Sequence, residues 1–199
     1  MLSEWARNWT REIRAAIARV LGRWGVAPNV LTAVGYLLHL PAVYVIAQGH
    51  LRLGGALFAV ASLFDSLDGA VAREMDQGSV FGAFLDSVTD RFSEATVYFG
   101  LFLWYLRSGG DLELALIYIA LVGSLMVSYT RARAEGLGVP CQEGLFTRFE
   151  RVLLLVVALI MQQVRLALWA MAILTMVTAL QRVYHVYRAT REKNAAKGS

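Results

Sequence analysis

Asp65, Asp68, Asp86 and Asp90 have the residue type and the spacing for metal chemistry. They fall in a stretch holding six acids and one arginine, Arg73, within a 199-residue chain that is 57% hydrophobic. Carboxylates offer only oxygen ligands, which favour a hard cation such as Mg²⁺ or Mn²⁺, and four of them suit two ions better than one. Without bound cations or protons, four converging carboxylates would repel one another. Two other readings stay open at this point: carboxylates paired with arginines as structural glue, and a proton relay or ion pathway. Arg73 and Arg91 are too few to neutralise four acids.

Such acids must be held by helices. The apolar stretches on either side of "MDQGS" read as two spans joined by a short turn, with Gly78 supporting the reversal. In an antiparallel hairpin, residues whose numbers sum to about 155 share a depth, so Asp65 meets Asp90 and Asp68 or Gly69 meets Asp86. At roughly 100° per residue, Asp65, Asp68, Gly69 and Ala72 lie within an arc of about 100°, and Gly82, Asp86 and Asp90 within about 80°. Both stripes can face one cleft. Gly69, Ala70, Ala72, Gly82 and Ala83 suit close helix packing, and interleaved with the acids they suggest a nucleotide-sized slot. Glu74 and Asp76 read as turn residues near water, and Glu94, one turn deeper than Asp90, as a group that orders a neighbouring helix.

The rest of the chain reads as membrane protein. Only 17% of residues are charged, too few for an ordinary soluble domain of this size. Apolar segments near the length that crosses a hydrocarbon layer of roughly 30 Å recur at about 29–48, 52–74, 80–106, 112–134, 149–164 and 166–187. Acids inside such spans cost at least ~2.5 kcal/mol each at the bilayer centre, which makes them functional candidates.

The expected fold is an all-α integral membrane protein, a single domain over 1–199. Its parts are an amphipathic juxtamembrane surface helix over 1–25, a core of six transmembrane helices over 29–187 and a basic cytoplasmic tail over 188–199. In the first segment Trp5, Trp9, Ile13, Ile17 and Val20 share a face, and its scattered charges do not fit a cleavable signal peptide. Sixteen of the nineteen basic residues lie at or toward the side of the termini, leaving Arg52, Arg107 and Arg165 at the other. That asymmetry places both termini in the cytoplasm. Arginines at span ends disfavour nucleic acid as a partner. Cys141, the only cysteine, excludes an internal disulfide and a cysteine metal cluster, and reads as a loop residue.

Asp65-x2-Asp68-Gly69-x2-Ala72-Arg73-x8-Gly82-x3-Asp86-x3-Asp90 resembles, without a departure, the signature of the CDP-alcohol phosphotransferases. The resemblance implies transfer of a phosphatidyl or similar group from a CDP-linked lipid to an acceptor hydroxyl, with release of CMP. It also implies a two-metal centre on Asp65, Asp68 and Asp86, with Asp90 near a metal and serving as general base. By the same match Gly69 and Arg73 contact the CDP moiety. "PNVLT" resembles the cytidine-contacting segment, giving Asn29, Val30, Leu31 and Thr32, though helix capping by its free N–H groups and Thr32 would also explain it. Ser79 matches a hydroxyl position near the nucleotide. Family members are commonly homodimers.

The acceptor must be read elsewhere. "SYTRARAEGLG", "TRFERV" and "LQRVYHVYR" put Arg131, Arg133, Arg148, Arg151 and Arg182 at span ends on the side of the acids, more cations than anchoring needs. A phosphate-bearing acceptor would supply the anion. The stretches resemble the bacterial phosphatidylinositol-phosphate synthases, which join CDP-diacylglycerol to inositol phosphate, and that match gives Arg131, Arg148 and Arg182 the acceptor phosphate. Synthesis of phosphatidylglycerophosphate from glycerol 3-phosphate is the alternative. An Mg²⁺-binding transporter is the rival outside enzymes, opposed by the apolar outer halves such as "VYFGLFLWYL".

Overall fold

The computed structural model describes the main chain of residues 28–74, 79–141 and 144–197, and side chains within 29–65, 79–141 and 144–192. The surface helix expected over 1–25 and the turn over 75–78 lie outside these residues. All regular structure described is helical: α1 Pro28–Ala47, α2 Leu51–Glu74, α3 Val80–Ser108, α4 Asp111–Gly136, α5 Arg148–Met161 and α6 Val164–Lys197. Each expected span has its helix. Among the described residues, stretches of α1, α4 and α6 are long and apolar enough to cross a membrane. Helix α5 has 14 residues and so rises only about 21 Å. The 34 residues of α6 rise about 51 Å, well beyond the roughly 30 Å of hydrocarbon. The segment expected as a tail from residue 188 is helical as far as Lys197, continuous with α6.

The chain divides into two compact units, residues 1–100 and 101–199. In the first, α1 ends in a Schellman motif: the N–H of Gly49 donates to the Ile46 carbonyl at 2.8 Å and that of His50 to Val45 at 3.1 Å. Gly49 takes φ +84°, a conformation L side chains rarely adopt. The chain reverses there, and α2 packs antiparallel on α1. Gly54 lies against Ile46, the His39 and Phe58 rings meet edge-on at 5.6 Å, and Gly35 faces Asp65. In each pair the residue numbers sum to about 100. Helix α3 runs parallel to α1, with Asn29 near Gly82, Tyr36 edge-on to Phe92 at 6.5 Å, and the Val43 carbonyl against Gly100.

In the second unit α4 and α6 also run parallel. Arg165 at the start of α6 donates to the buried Glu113 at the start of α4, Thr175 presses into the space left by Gly123, and Arg182 donates to the Val127 carbonyl. Thr147 precedes α5, and its N–H donates to the Glu150 carboxylate at 2.8 Å, satisfying a group the helix start leaves open. Large apolar side chains point outward along the helices, Leu63 at 69% exposure and Leu180 at 65% among them, a surface suited to lipid.

Candidate active site

Asp65 sits on α2 with 3% of its surface exposed. Its carboxylate is accommodated because Gly35 has no side chain; a Cβ there would stand 3.2 Å from Asp65 Oδ1. Asp86 and Asp90 are half-buried on α3, one turn apart, and the Arg91 guanidinium lies 3.8 Å from Asp90 Oδ2. The packing on α1 relates the acids of the two helices. Position 35 of α1 is level with Asp65, and α3 runs beside α1 with residue numbers larger by about 55. Asp65 and Asp90 therefore share a depth, as the hairpin geometry predicts, and the relation comes through a third helix. Asp68, Gly69 and Arg73 lie on α2, and their side chains are outside the described residues. Glu94 is buried at 5% exposure one turn deeper.

At the start of α1 the expected nucleotide segment meets the start of α3. A Cβ on Gly82 would lie 3.0 Å from Ser79 Oγ and 3.1 Å from Asn29 Oδ1, so the two polar side chains converge over a residue that leaves them room. Ser79 Oγ accepts from the Gly82 N–H at 2.9 Å, which caps α3. Leu31 and Thr32 are buried in helix packing and Val30 is half exposed. What Val30 and Leu31 can offer a ligand is the main-chain N–H of a first helical turn. Thr32 lies inside α1 rather than before it, which corrects the capping reading for that residue.

The second unit holds the arginines. Arg182 is 2% exposed and Arg151 is 1% exposed; Arg131 and Arg151 act on Arg182 as like charges, and Glu135 as an opposite one. Arg131 is exposed and pairs with Glu135 at 2.9 Å. Arg148 is half-buried in the first turn of α5, one turn from Arg151 on the same face. Gly144, at φ +139°, lies directly over α6: a Cβ would come within 2.8 Å of Thr178 Cγ2 and 3.1 Å of Arg182 Nε. The loop is also tied to α6 by His185 Nε2 against the Pro140 carbonyl at 3.0 Å. Cys141 is in this loop but fully buried, a packing residue more than the plain loop residue expected. Guanidinium groups gathered at this burial are suited to a phosphate, whose oxygens their forks match.

Two contributors escaped the sequence reading. Gly35 lies thirty residues from Asp65 with no motif to mark it, so only packing pairs the two. Arg151 was noted among the basic residues but not assigned to the acceptor, and it is buried within electrostatic reach of Arg182.

Comparison with known proteins gives the family. The family model for CDP-alcohol phosphatidyltransferase matches residues 25–181, across both units. The archaetidylinositol phosphate synthase of Pyrococcus horikoshii is 38% identical over 169 residues, covering 84% of this chain and 87% of the relative. The crystal structure of Mycobacterium tuberculosis phosphatidylinositol phosphate synthase with CDP-DAG bound superposes at a TM-score of 0.84 and 31% identity, covering 88% of this chain and 94% of that one. The same enzyme in complex with manganese and citrate gives a TM-score of 0.80 at 31% identity, covering 87% and 88%. This transferase family, met first as an aspartate pattern, is the one to which the chain belongs: the CDP-alcohol phosphatidyltransferases.

Proposed function

We propose that the protein transfers the phosphatidyl group of CDP-diacylglycerol to a hydroxyl of inositol phosphate, releasing CMP. The observation that carries this reading is the buried carboxylate of Asp65 level with Asp90, beside an α1 whose start brings Asn29 to Ser79 and Gly82 at the start of α3. The names of the relatives support the acceptor: an archaetidylinositol phosphate synthase and a phosphatidylinositol phosphate synthase, the latter crystallised with CDP-DAG.

Asp65, Asp68, Asp86 and Asp90 are the ligands for two divalent ions, Mg²⁺ with Mn²⁺ as a substitute. The fit rests on an all-oxygen donor set and on the room Gly35 leaves beside Asp65; a related enzyme crystallised with manganese supports it. Bound there, the ions would neutralise the pyrophosphate and stabilise charge on the phosphorus under attack. The side chains do the rest. Asn29, the N–H groups of Val30 and Leu31, Thr32, Gly69, Arg73 and Ser79 hold the CDP moiety. Arg131, Arg148 and Arg182 hold the acceptor phosphate, with Arg151 within electrostatic reach of Arg182. Asp90 takes the proton of the acceptor hydroxyl, whose oxygen bonds to the phosphatidyl phosphorus as the bond to CMP breaks. A carboxylate beside two cations is a weak base, so its effect depends on in-line positioning.

The chain crosses the cell membrane six times with both termini in the cytoplasm, and works as a homodimer in lipid. Purified protein in detergent with Mg²⁺ and CDP-diacylglycerol is expected to release CMP when given inositol phosphate and to stop when the metal is chelated. Asp90→Asn should lose turnover and keep CDP-lipid binding. Equal or faster turnover with glycerol 3-phosphate would overturn the acceptor. A CDP-archaeol donor, tested alongside, decides whether the lipid tails are ester- or ether-linked.

A further inference from the structure

Beneath the carboxylates, the first unit gathers buried polar groups at one level. The registers that set Asp65 level with Asp90 also set Ser62 level with Ser93, about 4.5 Å deeper on each helix. His39 reaches this level from α1, fully buried, and Glu94 stands beside Ser93 on α3.

The two serines differ from their neighbours in what their hydroxyls do. On α3, Ser87, Thr89, Thr96 and Ser108 each donate to a carbonyl of their own helix, at 2.8 to 3.0 Å. Ser93 is 1% exposed and makes no such bond. Its Oγ and the buried Oγ of Ser62 have no hydrogen-bond partner among the described residues. A helical serine always has a carbonyl of the preceding turn within reach. Burying its hydroxyl unbonded is costly, and here that happens on two helices at one depth. Each serine is also three residues from an aspartate on its own helix, the spacing at which side chains are surface neighbours.

A water molecule is the smallest ligand that both donates and accepts, and buried waters typically make about three hydrogen bonds. We propose that Ser62 and Ser93 hold one ordered water between them, and that this water donates to the carboxylates one turn above. The pair are positioning residues: through the water they fix the side-chain orientation of Asp65 and Asp90. The inference rests on the metal assignment of the preceding subsection and deepens it by supplying its floor.

The test is Mn²⁺ titration of the purified full-length chain in detergent, read by the electron paramagnetic resonance signal of free Mn²⁺. Ser62→Ala and Ser93→Ala should each weaken Mn²⁺ binding about tenfold, the lower end for loss of an outer-shell partner. The double variant should be no weaker than the worse single one to within about twofold, because both lose the same water. kcat measured at subsaturating metal should fall in parallel, and saturating metal should restore it. Thr96→Ala, which removes a hydroxyl bonded to its own helix, should leave Mn²⁺ binding unchanged. If Ser93→Ala fails to fold, Ser62→Ala alone decides. Wild-type affinity in the serine variants, or effects that multiply in the double, would overturn the shared water with the metal site intact. Absence of Mn²⁺ binding by the wild-type chain would overturn the metal assignment and this inference with it.

Discussion

Arg182 donates to the Val127 carbonyl while Gly144 closes over it, so its guanidinium is aimed by two neighbours at once. A lysine would keep the charge and lose the fork. Arg182→Lys is expected to raise KM for inositol phosphate by about tenfold or more, equivalent to roughly 1.4 kcal/mol of binding, with KM for CDP-diacylglycerol unchanged. Steady-state kinetics with each substrate varied in turn would check this, and a shift confined to the CDP-lipid would count against the acceptor role. Legibility at this scale was uneven. Asp65, Asp86 and Asp90 stood out because acids in apolar helices need a reason. Gly35 and Gly144 did not, because the reason for each is a neighbour distant in sequence: Asp65 for the first, Thr178 and Arg182 for the second.

At the scale of elements, the helix pairs are set by close approach at small residues. A Cβ on Gly100 would stand 2.9 Å from the Val43 carbonyl, and one on Gly123 would stand 2.0 Å from Thr175 Oγ1. Gly100→Ala meets a main-chain oxygen that cannot rotate away, so it should destabilise the fold by about 1–3 kcal/mol, the usual cost of overpacking. Gly123→Ala should do the same by pushing against the Thr175 side chain. Gly136→Ala, with nothing within 4 Å, is the control and should leave the thermal midpoint in detergent unchanged or slightly higher. A fall in all three, or in none, would argue against the packing described. The helices themselves were legible from apolar length. Their parallel pairing was not, since it depends on contacts between segments more than fifty residues apart.

For the whole molecule, the distribution of basic residues carries the proposed orientation, with Arg52, Arg107 and Arg165 alone on the outer side. A Cys141→Ala background gives a direct check. Ser108→Cys, at the end of α3, should react with a membrane-impermeant thiol reagent from outside the cell. Leu145→Cys, at a position 75% exposed, should react only once the cytoplasmic side is opened. The reverse pattern would invert the topology. By itself the sequence determined the helical class, the depth match of the acids, the family and the direction of the charge asymmetry. Each of these follows from periodicity, composition or a local motif, and those are properties of a linear chain. Only the tertiary structure decided that Gly35 makes room for Asp65, that Asn29 and Ser79 converge over Gly82, and that Arg151 is buried within electrostatic reach of Arg182. It alone also singled out Ser62 and Ser93 as hydroxyls that do not bond to their own helices. The physical reason is common to all four: packing compares groups on different helices, and a close approach leaves no mark on either segment alone.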